Sequence, residues 1–180
     1  MNPTKRLPLT IEHALLGFLR VAPRHGYEIH RRLSDPTGTG QVWRLKQSQL
    51  YALLAKLEDE GYIASTLQAQ DTRPTRRVFR LTKAGRETFL AWAQSPVTHG
   101  RELRLDFLVK FYFAQREGAR VATTLIAAQR AACQEWLAAQ RARSKALRRD
   151  RSYAWLVTQF RVGQINAMLA WLDTCEQTLE

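Results

Sequence analysis

The sequence predicts a mostly α-helical fold with one small β-hairpin. Apolar residues recur at the i, i+3, i+4 and i+7 positions of a helix along most of the chain. Two strand-forming runs, YIASTLQAQ and RRVFRL, flank the turn-forming DTRPT. After residue 95 glycine and proline become rare and alanine abundant. We therefore predict two domains, residues 1–95 and residues 96–180.

Three helices precede the hairpin. Thr10 is placed to cap the first helix, which ends before Pro23 because proline cannot continue the hydrogen-bond ladder. His25-Gly26 opens the second helix, and the turn-forming SDPTGTG follows its end. A brief strand is predicted at residues 41–43.

The third helix starts the stretch QSQLYALLAKLEDEGYI, residues 47–63. Its leucines have helical spacing and must face inward, and Gly61 is placed as a C-terminal stop. The inward set is Leu50, Leu53, Leu54 and Leu57. The residues left facing outward are Ser48, Gln49, Ala52, Ala55, Lys56 and Asp59. After the hairpin a fourth helix begins, with Thr82 as its predicted cap.

The chain is strongly basic. Lys and Arg number 28 against 16 Asp and Glu, which gives a net charge of +12 and a pI near 10.5. Such an excess favours a polyanionic partner, either nucleic acid or an anionic membrane surface. Both predicted domains share it, at +7 (15 basic, 8 acidic) for residues 1–95 and +5 (13 basic, 8 acidic) for residues 96–180.

The sequence lacks the motifs of membrane proteins, secreted proteins, metal-binding proteins and enzymes. No apolar run approaches membrane-spanning length, and the N-terminal residues lack the apolar region of a signal peptide. The two cysteines, Cys133 and Cys175, have no metal-ligand spacing, and no glycine-rich phosphate loop or nucleophile–base set is found. We therefore expect a cytoplasmic protein that is not an enzyme, with no cofactor, no metal ion and no membrane partner.

Three helices followed by a two-stranded hairpin is the order of a winged helix-turn-helix domain. In such domains the second helix of the pair enters the DNA major groove, and glutamine and serine can read base edges. Arginines at the hairpin tip can enter the minor groove or clamp phosphates. The predicted DNA-binding residues are Lys46, Gln47, Ser48, Gln49, Tyr51, Lys56, Arg73, Arg76 and Arg77. The alternative is a helix capped by Ser48 with Gln49 in solvent, beside a hairpin that is merely soluble.

The chain resembles a known family at this point. The stretches ALLGFLRVAPRHGYEIHRRL, WRLKQSQLYALLAKLEDEGYI and TRPTRRVFRLTKAGR resemble the PadR family of bacterial transcriptional regulators. The resemblance covers about half of the chain and implies a winged helix followed by a helical region that dimerises, as in the longer subfamily. It places Tyr51 against the DNA backbone, residues 47–49 in the major groove and the arginines near Arg76 in the wing. It also implies that a small, often aromatic, ligand releases the DNA.

The C-terminal segment contains three predicted helices, at residues 102–115, 118–147 and 153–179. Two rows at seven-residue spacing predict a seam that joins two copies as a homodimer. The seam residues are Trp155, Val162 and Leu169 in one row and Ile165, Leu172 and Leu179 in the other. The alternative is packing within the chain against residues 102–145.

The same segment is rich in aromatic residues. Aromatic residues at helical spacing are usually core, but they can also line a ligand cavity. The candidate effector pocket comprises Phe107, Phe111, Trp136 and Trp155. The basic run RARSKALRRDR, residues 141–151, is interpreted as a solvated turn, with a phosphate contact as the alternative.

We predict a sequence-specific regulator that binds double-stranded DNA, acts as a homodimer on a palindromic operator and represses transcription until a small aromatic ligand binds. The alternatives are an activator of the same fold and a non-specific nucleic-acid binder.

Overall fold

The computed structural model describes residues 10–70, 73–148 and 151–179, without the side chains of residues 10, 69–70 and 73–75. The chain divides into two compact units. The first holds the described residues up to Ala93 together with Leu108–Phe113, and the second holds Gln94–Phe107 and the residues from Ala114 onward. The predicted functional division at residue 95 stays a prediction.

The elements of the first unit follow the predicted order of helices and strands. They are α1 (Thr10–Phe18), β1 (Arg24–His25), α2 (Gly26–Leu33), α3 (Gln47–Asp59), β2 (Ile63–Gln70), β3 (Arg73–Leu81) and α4 (Lys83–Gln94). Gly61, with φ +80°, ends α3 as predicted, because the left-handed conformation suits glycine. The predicted fold class, mostly α with a small β-hairpin and a winged helix-turn-helix order, is confirmed.

The sheet has three antiparallel strands in the order β1-β3-β2. In the hairpin Ile63 pairs with Leu81 and Leu67 with Arg77, while Arg24 of β1 pairs with Phe79. The predicted strand at residues 41–43 is wrong. That segment is a 3₁₀ turn in which the Val42 and Trp43 amides both donate to the Thr39 carbonyl, at 2.9 and 3.0 Å, so they cannot donate to a strand ladder.

The core of the first unit is aliphatic and aromatic. Each fully buried leucine contributes about 1.5–3 kcal/mol relative to an exposed one. The buried core of α1, α2 and α3 includes Leu15, Leu16, Ile29, Leu33, Leu50, Leu54 and Leu57. Phe79 on β3 and Phe89 on α4 extend this core under the hairpin. Leu53, predicted to face inward with the other leucines, is only partly buried.

The second unit is built on a hairpin of two long helices, α6 (Ala119–Leu147) and α7 (Tyr153–Gln177). The helix α5 (Leu108–Glu117) precedes them and is divided between the two units. Leu125, Ile126 and Leu137 of α6 are buried, and Arg130 forms ion pairs with Asp173 and Glu176 across the hairpin. No helix among the described residues is long and apolar enough to cross a membrane.

The predicted seam on α7 divides between two environments. Ile165 and Leu172 are buried within the second unit, on the α7 face that also buries Thr158. Their burial in the single chain favours the alternative of packing within the chain at these two positions, and the dimer seam as a whole stays a prediction. The remaining seam positions, Trp155, Val162, Leu169 and Leu179, are partly buried.

Candidate nucleic-acid interface

The start of α3 carries an exposed polar surface. Gln47, Ser48 and Gln49 are all exposed, while Leu50, at the next position, is fully buried. The buried leucines therefore fix the rotation of the helix and hold its N-terminal turn in solvent. This agrees with the predicted orientation of α3.

The cap of α3 differs from the Ser48 alternative. The backbone amide of Lys46, the exposed residue before the helix, donates to Oε1 of Gln49 at 3.1 Å. Gln49 thus satisfies a helix-end amide, and the Ser48 hydroxyl is not the cap. The amide nitrogen of Gln49 and the second lone pair of its Oε1 atom are left for a base contact.

The Tyr51 ring packs closely against Gly26, at the start of α2. A Cβ atom added at Gly26 would lie 2.7 Å from the Tyr51 ring and 2.8 Å from its hydroxyl oxygen. The ring therefore occupies the space that any larger side chain at the start of α2 would need. Tyr51 remains 42% exposed, and its contact with the DNA backbone stays a prediction. Gly26 is a residue that positions Tyr51, and sequence reasoning did not assign it that role.

Two histidines tie the helices to the neighbouring segments. Nε2 of His30 lies 3.0 Å from the Leu45 carbonyl oxygen, in the segment that leads into α3. The His25 amide donates to the Glu28 carboxylate at 3.1 Å, and Nδ1 of His25 lies 3.3 Å from the Arg77 carbonyl oxygen of β3. These bonds fix α2 against both predicted DNA-contacting elements.

Lys56 has a partner within the protein. Its Nζ atom donates to Oε1 of Glu12, a buried residue of α1, at 2.6 Å. The hydrogen bond to Glu12 raises the pKa of Lys56 above its ordinary value. Lys56 therefore neutralises a buried carboxylate, so the structure gives no support to its predicted phosphate contact.

The hairpin, or wing, is bonded to α3 through Glu58. Oε1 of Glu58 accepts hydrogen bonds from the Ser65 amide at 3.0 Å and the Ser65 hydroxyl at 2.7 Å, and Oε2 accepts one from Nη2 of Arg77. Arg77 Nε also donates to the Ser65 hydroxyl at 2.7 Å. These three residues join the end of α3 to both strands of the wing, a role that the spacing of the residues did not predict.

The predicted wing arginines differ in whether they have a partner within the protein. Arg77 is anchored to Glu58, and its guanidinium carbon lies 5.4 Å from the centre of the Phe79 ring. Arg76 is exposed and forms no ion pair with the residues that the structure describes. The side chain of Arg73 lies outside the described residues. Arg76 is thus the described wing arginine best placed to meet DNA.

The four predicted effector residues are divided between the two units, and the effector pocket stays a prediction. Phe107 is buried, with its ring centre 5.7 Å from that of Trp171, and acts as core in the second unit. Phe111 belongs to the first unit, whereas Trp136 and Trp155 belong to the second. Of the four, Trp155 lines a cavity. Among the described residues no group of His, Cys, Asp and Glu could hold a metal ion.

Two known protein families match this chain, one in its N-terminal half and one in its C-terminal half. Residues 15–91 match the Transcriptional regulator PadR-like family, and residues 103–180 match Virulence activator alpha C-term. Residues 15–91 thus resemble the PadR-like family, and this resemblance covers less than half of the chain. The description of that family as transcriptional regulators agrees with the regulator predicted from the sequence.

Two curated proteins similar to this chain are transcriptional regulators. It is 31% identical over 103 residues to the negative transcriptional regulator PadR of Bacillus subtilis, which covers 57% of this chain and 56% of the relative. It is 27% identical over 93 residues to a probable transcriptional regulator of Mycobacterium tuberculosis, which covers 52% and 48%. The match therefore spans about half the length of these curated relatives.

The chain also resembles solved structures of the Bacillus subtilis protein. The complex of that protein with operator DNA is 24% identical, with a TM-score of 0.49 and coverage of 97% of this chain and 100% of the other. Its complex with p-coumaric acid is 22% identical, with a TM-score of 0.40 and coverage of 99% and 98%.

Proposed function

We propose that this PadR-like protein is a sequence-specific DNA-binding repressor that acts as a homodimer on a palindromic operator. The observation that carries the proposal is the exposed head of α3, Gln47 to Gln49, on a helix whose other end is bonded through Glu58 to a basic wing. A buried leucine row behind that head leaves it free to enter a groove.

The base-reading step follows from the side chains of that head. Glutamine can pair with adenine at N6 and N7, and serine can pair with any base. Ala52 and Ala55 are exposed on the following turns of α3, and their small side chains allow the helix axis to approach the DNA closely. Tyr51, Lys46 and Arg76 are positioned to meet phosphates at the edges of the groove.

A second copy of the chain is the partner that would complete the site. α7 exposes a row at alternating spacings of three and four residues: Tyr153, Leu156, Phe160, Gly163, Ala167 and Ala170. Tyr153 is 82% exposed and Phe160 65%, and from Tyr153 to Leu172 the helix has a single charge, Arg161. An uncharged row about 26 Å long on so basic a protein favours burial against another copy. This row, rather than the predicted Ile165 and Leu172, is the proposed dimer face.

Repression is the proposed regulatory sign, because the relative from Bacillus subtilis is named a negative regulator and the resemblance implies repressors. Activation is the second candidate, because residues 103–180 match the C-terminal region of virulence activators. A reporter driven by the chain's own upstream region distinguishes them, since deletion of a repressor raises expression and deletion of an activator lowers it. The resemblance also supports release of the DNA by a small aromatic ligand.

Operator binding is tested by fluorescence polarisation with DNA from the chain's own upstream region and with a shuffled duplex of equal composition. We expect at least about a thousandfold preference for the upstream site, and an affinity that falls steeply with salt as counterions are released. Equal affinity for both duplexes at moderate salt would leave only the non-specific alternative.

Two glutamine variants test base reading. Gln47→Ala should relax base preference, at a cost of about 1–3 kcal/mol at one position of the operator. Gln49→Ala should do the same and also lower the free energy of unfolding by about 1 kcal/mol, because the Lys46 amide loses its acceptor. Unchanged selectivity in both variants would mean that the head of α3 does not read bases.

Arg76→Ala tests the wing. We expect weaker binding to every duplex alike and a reduction of about one in the slope of log affinity against log salt. Arg120→Ala removes an exposed arginine at the start of α6 and serves as the matched control. A selective loss for one duplex would assign Arg76 to base reading instead.

A further inference from the structure

The first half of α5 belongs to the unit that carries α3 and the wing. Leu108–Phe113 are part of the first unit, although they lie beyond the division predicted at residue 95. Phe113 is 3% exposed, and its ring lies edge-on to the rings of Phe18 and Phe89, with ring centres 5.2 and 5.7 Å apart. This half of α5 is therefore core to the winged helix, not an appendage of it.

A buried lysine anchors α5 to the end of α4. Lys110 is 5% exposed, and its Nζ atom donates to the Trp92 carbonyl oxygen at 3.0 Å. That carbonyl belongs to the last turn of α4, where the backbone oxygens have no partner within the helix. The same ammonium group lies 5.3 Å from the centre of the Trp92 ring, and its charge complements the dipole of α4. Lys110 thus fixes the position of α5 within the first unit.

Tyr112 of α5 packs against the segment that joins α2 to α3. A Cβ atom added at Gly38 would lie 3.1 Å from Cε2 of the Tyr112 ring and 3.2 Å from its hydroxyl oxygen. The centre of the Tyr112 ring lies 5.1 Å from that of the buried Phe113 ring, edge to face. The ring is therefore supported from behind and presses on the backbone of the joining segment.

The joining segment is itself tied down on its way to α3. Thr39 is buried, its hydroxyl donates to the Leu33 carbonyl oxygen at 3.3 Å, and its carbonyl accepts two amides of the 3₁₀ turn. Farther along, the Leu45 carbonyl oxygen lies 3.0 Å from Nε2 of His30. These bonds leave little slack in the segment, so a displacement at Gly38 is passed on to the first turn of α3.

We propose that Tyr112 is a positioning residue for operator recognition, which holds the head of α3 through its contact with Gly38 and does not itself meet the DNA. The inference rests on the proposed function, because it concerns the same interface. It gives α5 a part in base reading, although α5 stands outside the three helices and the hairpin that define a winged helix.

Polarisation assays on the full chain test this role. Tyr112→Ala removes the ring, and we expect the affinity for the upstream duplex to fall about tenfold, the effect of one lost base contact. The affinity for the shuffled duplex should stay unchanged, because non-specific binding depends on phosphate contacts and the substitution removes no charge. Tyr112→Phe keeps the ring and should retain the affinity for the upstream duplex.

Val109→Ala is the matched control. It shortens a fully buried side chain of the same helix, so it should lower the melting temperature and leave the ratio of upstream to shuffled affinity as it is. An equal loss of that ratio in Val109→Ala, or an unchanged ratio in Tyr112→Ala, would overturn the proposal.

A thermal melt verifies that each variant folds. If Tyr112→Ala does not fold, Gly38→Ala takes its place, since a methyl group 3.1 Å from the Tyr112 ring disturbs the same contact and should lower the same affinity ratio. An unchanged ratio in Gly38→Ala would then count against the proposal.

Hydrogen exchange without DNA separates this inference from the proposed function. The Val42 and Trp43 amides, which donate to the Thr39 carbonyl, should exchange faster in Tyr112→Ala than in the unmodified chain or in Val109→Ala. Equal exchange in all three proteins would contradict the positioning role. If the unmodified chain shows no preference for the upstream duplex, the proposed function fails, and the exchange rates still decide whether Tyr112 holds this segment.

Discussion

At the scale of single residues, the absence of a side chain at Gly26 matters most for the proposed interface. Gly26→Ala would place a methyl group 2.7 Å from the Tyr51 ring, and the ring must move because it is the more mobile partner. We expect a change in the free energy of unfolding within about 1 kcal/mol, since alanine also favours the helix. DNA affinity should fall about tenfold, as for loss of a charge-assisted phosphate contact.

Polarisation assays on a double-mutant cycle check this role. Because Gly26 acts through Tyr51, Gly26→Ala should cause no further loss of DNA affinity in a Tyr51→Ala background. Additive losses in the double mutant would show that the two positions act separately, and Tyr51 would then not depend on the glycine for its position.

The low reactivity expected of the two cysteines also follows from their burial. Burial raises the pKa of Cys175 to about 11, and burial raises the pKa of Cys133 as well. At pH 8 only about one Cys175 thiol in a thousand would be ionised. We expect no reaction of the native protein with Ellman's reagent at pH 8, and two thiols per chain in guanidinium chloride. Rapid reaction in the native state would contradict the burial of both.

At the scale of elements, the wing and α3 behave as one piece because of Glu58. Arg77→Ala removes the guanidinium group that donates to Oε2 of Glu58 and should lower the free energy of unfolding by about 1 kcal/mol. The expected loss is no larger because this ion pair is partly exposed. Arg76→Ala, its neighbour on β3, should stay within about 0.5 kcal/mol. Urea denaturation measures the stability of both variants. Equal stabilities of Arg77→Ala and Arg76→Ala would contradict the anchoring role of Arg77.

The elements also show where periodicity suffices and where it fails. Leucines at helical spacing predicted α3, and the runs on either side of DTRPT predicted β2 and β3. Strand β1 was missed because two residues, Arg24 and His25, are too few to show alternation. The strand expected at residues 41–43 failed because Thr39 accepts two amides there in a tight turn, which apolar content does not reveal.

At the scale of the whole molecule, the exposed row on α7 predicts how two chains meet. Phe160→Glu places a charge in the middle of that row, and burying an unpaired carboxylate is costly, so we expect the dimer to dissociate. Gln134→Glu adds the same charge on the exposed surface of α6 and should leave the dimer intact. Sedimentation velocity at matched concentrations distinguishes the two.

If Phe160→Glu remains a dimer, the row is not the interface. If the unmodified chain is a monomer at micromolar concentration, the homodimer itself is excluded. Dissociation should also weaken operator binding, because two copies of α3 could no longer meet half-sites about 34–36 Å apart.

The sequence by itself determined the main helices and the hairpin, the order that makes a winged helix and the outward face of α3, because these depend on residue spacing along one chain. Only the tertiary structure decided which predicted site residues have partners. Lys56 and Arg77 have the charge to bind phosphate, yet Glu12 and Glu58, 44 and 19 residues away, engage them. It likewise decided that Ile165 and Leu172 are buried while Phe160 is exposed, since seven-residue spacing leaves open which face of a helix is covered.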